Sequence, residues 1–294
     1  MRKVKIDTIN SFYNTNDKMS VFDLANKSIS KFLEGTTLDV SKIGYVFVAT
    51  ASPDQLAPSL SQLINKRFTK ELSSAVFVDV VQGCTGSMTA IELATKLSGM
   101  CNEMCLVIAA DAAKNAVSGK NVNQDSFGNG SFCMSIVPSA FNEGVTNTFS
   151  FQVGDCIDVV SIKIGHITAQ SDIYKCVNSD DFKDKCGLIL NKKLALKFLK
   201  KAEQKLIDLI SNKLIEVPDI ILPHHASEYF VHKVASVFKK IDITTINCGD
   251  SVKNCGAATI GIILDKHFKE LKNKKVLFLG YGTGAVVNGI SWKM

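Results

Sequence analysis

The sequence predicts an α/β fold with mainly parallel strands, built as two similar halves. Short β-branched runs alternate with segments of helical apolar spacing along the whole chain, which is typical of strand and helix units. The 294 residues, 46% hydrophobic and 21% charged, suffice for one large domain or two of about 150 residues. We therefore predict halves at residues 1–145 and 146–294, packed face to face with any shared site at their junction.

Apolar runs and helical periodicity define the elements of the first half. The predicted strands are 4–9, 44–51, 74–81, 104–110 and 131–138, and the predicted helices are 20–33, 56–69 and 85–99. The later strands are apolar enough to be buried on both faces.

The second half repeats this alternation. The predicted strands are 147–153, 157–165, 218–222, 243–247, 275–280 and 285–292, and the predicted helices are 190–214, one beginning near His225, and 254–270. Residues 141–182 are polar and rich in turn residues, so we expect the boundary and a surface excursion there.

The charged residues limit the classes of partner. The net charge is +6, a modest excess that favours an acidic partner. Only Arg2 and Arg67 are arginines. Because the guanidinium group of arginine is the group that most often reads guanine edges, this scarcity argues against sequence-specific nucleic-acid binding. No apolar run approaches the roughly 18 to 20 residues of a membrane span.

The nine cysteines are predicted to be reduced thiols in the cytoplasm, because their number is odd and no secretory signal is visible. No C-x-x-C pair occurs, so we expect no metal. Cys84 is the candidate nucleophile. The others are expected to be packing residues: Cys101, Cys105, Cys133, Cys156, Cys176, Cys186, Cys248 and Cys255.

Cys84 stands in the turn between a buried strand and a helix. A thiol before a helix N-terminus meets unpaired N–H groups and the positive end of the helix dipole, and both favour thiolate. Gly83 and Gly86 let the backbone turn sharply and let a substrate approach. The alternative is that Cys84 is a small buried hydrophobe at a helix start.

His224 and Asn254 are the candidate partners of this thiol. His224 follows the strand 218–222, at the sheet edge where open α/β folds build their sites. His225 competes for the role, and a structural histidine is the alternative. Asn254 begins a predicted helix, where it is either an ordinary N-cap or a neutral amide donor that stabilises an enolate or thioester oxyanion. The remaining histidines, His166, His232 and His267, are expected to face solvent.

A glycine-rich segment, GYGTGA at 280–285, matches the spacing of a dinucleotide-binding loop. The sequence after it is too short for the helix, strand and acidic residue that such a site requires. We predict instead a bend between two strands that presents backbone N–H groups to a bound carbonyl.

Five blocks in order resemble the β-ketoacyl-acyl-carrier-protein synthase III group of condensing enzymes, which have the thiolase fold. They are GCTGSMTAIELA around Cys84, FGNGS at Phe127–Ser131, LPHHAS at His224, KNCGAA at Asn254 and GYGTGAVVNG near the end. Together they cover most of the chain from about residue 40. The resemblance implies two pseudo-duplicated halves in a layered α-β-α-β-α core, a homodimer, and no metal or redox cofactor.

The resemblance also implies a role for each candidate residue. Cys84 accepts an acyl group from a thioester, and His224 and Asn254 bind the second thioester and stabilise the enolate formed on decarboxylation. The backbone N–H of Cys84 and that of Gly282 or Thr283 hold the oxyanion. Which of these two completes the site is open, because the closing block is one residue longer than the usual spacing.

The sequence departs from the family pattern at two places that concern binding of coenzyme A and of the acyl carrier protein. Family members usually carry a Trp and an Arg in a W-I-x-x-R-T-G-I element that grips coenzyme A, but residues 11–44 contain neither, and Trp292 is the only tryptophan. The usual carrier-binding arginine is Tyr229 here. Lys233, Lys239 and Lys240 follow on the same predicted helix and are candidate contacts for an acyl carrier protein, or else an ordinary solvated surface. FGNG, in place of F-G-D-G, is expected to be structural.

The leading prediction is an acyltransferase that condenses acyl-Cys84 with a malonyl or other acyl thioester, in a specialised acyl pathway or in fatty-acid initiation. Two alternatives stay open. One is pure acyl transfer to an amine, a hydroxyl or a carrier, and the other is a non-catalytic accessory subunit of a heteromeric synthase.

Overall fold

The computed structural model describes residues 3–15, 19–117, 122–141, 143–162 and 187–294. The helices in these ranges are α1 (Val21–Gly35), α2 (Leu60–Arg67), α3 (Gly86–Cys101), α4 (Ala113–Ala116), α5 (Lys192–Ser211), α6 (Glu228–Lys239) and α7 (Thr259–His267). The strands are β1 (Lys3–Asn14), β2 (Ile43–Ala49), β3 (Val76–Val80), β4 (Met104–Asp111), β5 (Asn129–Ser139), β6 (Gly144–Gln152), β7 (Val160–Ile162), β8 (Leu188–Leu190), β9 (Ile220–Pro223), β10 (Thr244–Thr245), β11 (Lys275–Gly282) and β12 (Val286–Lys293).

The first half forms a five-stranded sheet of order β1-β5-β4-β2-β3. Strands β4, β2 and β3 are mutually parallel, and β5 runs antiparallel to both β4 and β1. Along β4, the odd-numbered residues from Cys105 belong to one hydrophobic core and the even-numbered residues from Leu106 to another. Both faces of this strand are therefore buried, as its continuous apolar run predicts.

The second half forms a sheet of order β10-β9-β11-β12-β6. Strands β10, β9 and β11 are parallel, and β12 runs antiparallel to both β11 and β6. Each strand thus has a counterpart at the same place and in the same direction in the first sheet, which confirms the predicted fold of two similar halves. The boundary predicted between residues 145 and 146 falls at the start of β6 and stays a prediction.

The helices form three layers around the two sheets. Side chains of α1 and α2 pack on the outer face of the first sheet, and those of α5 and α6 on the outer face of the second. Side chains of α3 and α7 share one core with residues from both sheets and therefore lie between them. This order of layers is the predicted α-β-α-β-α arrangement.

Helix α1 illustrates how the sequence specifies these layers. Its buried residues recur at helical spacing from Val21 through Ile29 to Phe32, and the Ser20 side chain accepts a hydrogen bond from the Asp23 N–H at 3.0 Å. The periodicity directs one face of the helix to the sheet and the cap satisfies its first turn. Burying a residue such as Phe32 contributes roughly 2 to 3 kcal/mol.

Several predicted boundaries are wrong. The helix predicted at 56–69 is α2, which begins after a capping box in which the Ser59 N–H donates to Gln62 Oε1 at 2.9 Å. The strand predicted at 157–165 is a 3₁₀ turn over Gly154–Val159 followed by the short β7. Residues 163–165 lie outside the described ranges, like half of the predicted surface excursion. The strand predicted at 243–247 is only β10. No helix in the described ranges is both long and apolar enough to cross a membrane.

Candidate active site

Cys84 lies in a 3₁₀ turn, Gly83–Thr85, between β3 and α3. Gly83 has a φ of +53°, and a Cβ there would overlap the side chain of Thr283. A Cβ on Gly282 would lie 2.7 Å from a methyl carbon of Thr85. Because both positions lack a side chain, the turn and the loop after β11 come into contact. Cys84 therefore lies beside Gly282 and Thr283, the residues predicted to complete the oxyanion site.

The acidity of Cys84 differs from the expectation. Burial raises the pKa of the thiol to about 12, the negative charge of Asp111 also raises it, and the backbone N–H of Cys84 lowers it. The predicted preference for thiolate is therefore wrong for this structure, because the cost of removing a thiolate from water exceeds the stabilisation by the turn. Although Cys84 is only partly buried, this raised pKa keeps its thiol protonated at neutral pH.

Asp111, the last residue of β4, is the site residue that sequence reasoning missed. It is fully buried. Its Oδ1 accepts four hydrogen bonds of 2.7 to 2.9 Å from the segment 50–52, and its Oδ2 accepts one of 2.6 Å from the Ala257 N–H. Burial raises the pKa of this carboxyl, and the hydrogen bonds oppose that rise. An acidic residue that closes an apolar strand was the signal in the sequence.

Asp111 joins the segment 50–52 to the turn that follows Asn254. Ala257 belongs to that 3₁₀ turn, Gly256–Ala258, and a Cβ on Gly256 would overlap Oδ2 of Asp111. The charge of Asp111 also acts on the Cys84 thiol. The carboxylate therefore holds the turn after Asn254 and influences the acidity of the candidate nucleophile.

His224 follows β9 and is buried, with 1% of its surface exposed. Its N–H donates to the Leu279 carbonyl at 2.7 Å, which holds it beside β11. Its Nδ1 is buried and has no hydrogen-bond partner in the described part of the chain. Burial, with a smaller contribution from the adjacent His225, lowers the pKa of the imidazole to about 3. The ring is therefore neutral at neutral pH.

The other histidines lie in different environments. The ring of His225 is buried and its Nδ1–H donates to the carbonyl of Val252, so it connects two loops. The side chain of His232 is 62% exposed, as expected for a solvent-facing residue. That of His267 is only 28% exposed and contacts Cys248, so the solvent-facing position expected for His267 is wrong. His166 lies outside the described residues.

Asn254 connects its own segment to the segment that carries His224. Its Nδ2 donates to the Ala226 carbonyl at 3.2 Å, and Ala226 is two residues from His224. Its Oδ1 accepts from the Gly256 N–H at 2.9 Å. The predicted helix start at residue 254 is wrong, because the 3₁₀ turn intervenes and α7 begins at Thr259. Asn254 precedes Cys255, the N-cap of that turn, and is not the N-cap of α7.

The FGNG segment holds Asn254 in place. The Gly128 N–H donates to the Asn254 carbonyl at 2.9 Å, and the Asn254 N–H donates to the Ser126 carbonyl at 3.0 Å. A Cβ on Gly128 would lie 2.8 Å from the ring of Tyr13 and 3.1 Å from Sγ of Cys255. These contacts agree with the expected structural role of the segment.

The remaining cysteines are partly as expected. Cys105, Cys133, Cys156 and Cys255 are buried packing residues, whereas Cys101 is exposed and Cys248 is half-buried. Cys176 and Cys186 lie outside the described residues. In the part of the chain that the structure describes, no group of three or more acidic, cysteine or histidine side chains could hold a metal ion.

The surface next to His224 carries the candidate carrier contacts. Helix α6 begins after its N-cap Ser227, and Lys233, Lys239 and Lys240 are exposed along it. Lys233 Nζ lies 5.7 Å from the centre of the Tyr229 ring. A cavity of about 200 Å³ opens beside this helix start and is lined in part by His225, Ser227 and Lys253.

Comparison with known proteins extends these observations. The chain is 26% identical over 279 residues to the β-ketoacyl-[acyl-carrier-protein] synthase III of Clostridium kluyveri, which covers 91% of this chain and 82% of the relative. A crystal structure of a 3-oxoacyl-(acyl-carrier-protein) synthase III matches with a TM-score of 0.82 and 16% identity, over 99% of this chain and 100% of the other. The priming β-ketosynthase of the R1128 polyketide biosynthetic pathway matches with a TM-score of 0.76 and 14% identity, over 100% and 96% of the two chains. No protein-family model matches the chain.

The fold is the thiolase fold of condensing enzymes. The chain is similar to synthases III in both sequence and structure, which confirms the resemblance predicted from its five motifs.

Proposed function

We propose that the protein transfers an acyl group from a thioester to Cys84 and condenses it with a malonyl or other acyl thioester. The main support is the arrangement of the three segments that carry Cys84, His224 and Asn254. The Cys84 turn contacts Thr283, and the carboxylate of Asp111, which holds the turn after Asn254, acts on Cys84 through its charge. Asn254 in turn binds the chain two residues from the buried, neutral His224.

In the first step, the Cys84 sulfur attacks the thioester carbonyl and loses its proton. The negative charge that develops on the carbonyl oxygen is stabilised by the backbone N–H of Cys84 and that of Gly282 or Thr283. Collapse of the tetrahedral intermediate expels the donor thiol, which takes up a proton, and leaves acyl-Cys84. Because the thiol has a high pKa, proton loss accompanies attack and does not precede it.

In the second step, the carbonyl of the extender thioester binds to His224 and Asn254. A neutral imidazole offers one N–H donor, and the Asn254 amide has a second N–H besides the one that binds Ala226. Loss of carbon dioxide generates an enolate whose oxygen these donors stabilise. The enolate carbon attacks acyl-Cys84, a carbon–carbon bond forms, and the Cys84 thiolate leaves.

Acylation is tested by intact-protein mass spectrometry after brief incubation with a panel of acyl-coenzyme A and acyl-carrier thioesters. We expect a mass gain that is lost in Cys84→Ala and kept in Cys101→Ala, since Cys101 is an exposed thiol at the end of the helix that follows Cys84. If no thioester labels Cys84, the proposal fails and the accessory-subunit alternative leads.

Condensation is tested by adding malonyl thioesters to the acylated enzyme. We expect a β-keto product from the wild type, whereas His224→Ala and Asn254→Ala should acylate but release little carbon dioxide or product. Acylation followed only by transfer to an amine, a hydroxyl or a carrier would replace the proposal by the pure-transfer alternative.

The proposed partner is an acidic acyl carrier protein that docks on α6, with coenzyme A as the other donor. The support is the exposure of three lysines on the helix that follows His224, with Lys233 in its middle and Lys239 and Lys240 at its end. Changing these lysines to glutamate should raise KM for carrier-bound donors several-fold and leave KM for coenzyme A donors unchanged. An equal effect on both donors would contradict this docking surface.

We also propose a cytoplasmic homodimer that works on thioesters without a metal or redox cofactor. Strand β3 is an edge strand of the first sheet, and Val76 and Val81 beside it are 53% and 86% exposed. An exposed apolar edge is a surface that a second copy can cover. Sedimentation of the wild type should give a dimer, and Val81→Lys should weaken it. A monomeric wild type would contradict the proposal.

A further inference from the structure

Outside the candidate active site, a cysteine, a histidine and a glutamate form a second hydrogen-bonded chain. Sγ of Cys248 lies 3.5 Å from Nε2 of His267, and Nδ1 of His267 lies 3.0 Å from Oε2 of Glu270. A thiol next to an imidazole whose other nitrogen is held by a carboxylate is an arrangement that activates cysteine nucleophiles.

Two segments meet to build this group. His267 ends α7, and Cys248 lies in the loop after β10. The Lys266 ammonium donates to the Ser251 carbonyl at 3.2 Å, and the Ser251 N–H donates to the Cys248 carbonyl at 3.0 Å, so the loop is fixed to the helix end. Cys248 is half-buried and the His267 side chain is 28% exposed, which leaves the group open to a small reagent.

We propose that Cys248 is a modification site for low-molecular-weight disulfides, with His267 as the proton acceptor and Glu270 as the residue that orients His267. The Cys248 sulfur attacks one sulfur of the disulfide while its proton moves to Nε2 of His267, and Nδ1–H donates to Glu270. The disulfide bond of the reagent breaks, and the departing thiolate takes the proton. The products are a mixed disulfide on Cys248 and one free thiol, so the Cys248 sulfur is oxidised and the departing sulfur is reduced.

Burial works against this reaction and makes the proposal testable. Burial raises the pKa of the Cys248 thiol, and the positive charge of Lys266 lowers it. Exposure alone therefore predicts that the exposed Cys101 reacts faster than Cys248. Proton transfer to His267 predicts the opposite order.

The experiment measures both thiols in one sample of the full chain. The Cys84→Ala variant is incubated with glutathione disulfide at neutral pH, quenched by alkylation, and the peptides of Cys248 and Cys101 are quantified by mass spectrometry. This background removes the active-site thiol, so the result does not depend on the proposed condensing function. We expect Cys248 to be modified about tenfold faster than Cys101, since a positioned base accelerates proton transfer by that order or more.

The variants separate the proton acceptor from a general structural effect. His267→Gln should slow modification of Cys248 about tenfold and leave Cys101 unchanged, and Glu270→Gln should slow it less. The matched control is His232→Gln, since His232 forms a similar exposed pair with Glu228 at 3.6 Å and has no hydrogen bond to a cysteine within the described residues. Equal or slower reaction of Cys248 relative to Cys101, or no effect of His267→Gln, would overturn the proposal.

Discussion

Replacing Asp111 by asparagine tests whether its buried carboxylate controls both the acidity of Cys84 and the position of the turn after Asn254. The substitution keeps the shape of the side chain and removes its charge. Because the negative charge of Asp111 raises the pKa of Cys84, we expect that pKa to fall in the variant. Cys84 should then be alkylated faster at any pH below its pKa, since the thiolate is the reactive form.

The cost in stability follows from the hydrogen bonds of the carboxylate. An asparagine oxygen can still accept the four bonds from the segment 50–52, but an amide nitrogen cannot accept the bond from the Ala257 N–H. A hydrogen bond to a charged group contributes about 1.5 to 3 kcal/mol, and removing a buried charge offsets part of that loss. We expect a loss of about 2 kcal/mol, or a fall in Tm of about 3 °C for a chain of this length.

The assay is the rate of Cys84 alkylation by iodoacetamide across a range of pH, read from the Cys84 peptide, together with urea unfolding. Asp79→Asn is the matched control. Asp79 also accepts three hydrogen bonds through both oxygens, from Ser59 and Ser61, but its charge is not among those that act on Cys84. The pH profile of Cys84 alkylation in Asp79→Asn should therefore equal that of the wild type.

A profile for Asp111→Asn that overlaps the wild type, or moves to higher pH, would refute the reasoning. In that case the charge of Asp111 would not govern the thiol, and its role would be limited to holding the turn at Ala257.

Three further predictions concern stability. Between pH 6.5 and about 5, the free energy of unfolding of the wild type should fall by about 2 kcal/mol more than that of His224→Asn. The pKa of the His224 imidazole falls from 6.5 to about 3 on folding, so the ring takes up a proton only in the unfolded chain. Parallel changes in the urea curves of the two proteins would contradict this. Gly83→Ala should lower the free energy of unfolding by about 1 to 3 kcal/mol and slow acylation, because the φ of Gly83 is positive and the new Cβ would overlap Thr283. Gly154→Ala is the control, since a Cβ on Gly154 meets nothing within 4 Å. Phe278→Ala, at a fully buried position, should lower the free energy of unfolding in urea by about 3 to 5 kcal/mol. A loss below about 1 kcal/mol would mean that neighbouring side chains move in and fill the cavity.

Local patterns in the sequence were sufficient to predict the layers and the turn at Cys84. The apolar run of β4 predicts a strand buried on both faces, and the glycine at residue 83 predicts a turn before a helix. These features depend on periodicity and backbone freedom, which are visible within a few residues.

Contacts between distant segments could not be predicted in the same way. The hydrogen bond from Ala257 to Asp111 joins residues 146 positions apart, and no local pattern indicates that they meet. The expectation of a thiolate at Cys84 was wrong for a related reason. It considered the adjacent helix start but not the burial produced when both halves pack around the turn.

The position of Trp292 gives the protein an internal optical probe. This single tryptophan is 2% exposed, belongs to the core between the two sheets, and stacks on Phe278 with ring centres 6.0 Å apart. Its emission therefore reports the opening of that central layer and needs no label. If emission and far-ultraviolet circular dichroism change together in urea, the two halves unfold as one cooperative unit, whereas separate transitions would show that one half can persist without the other.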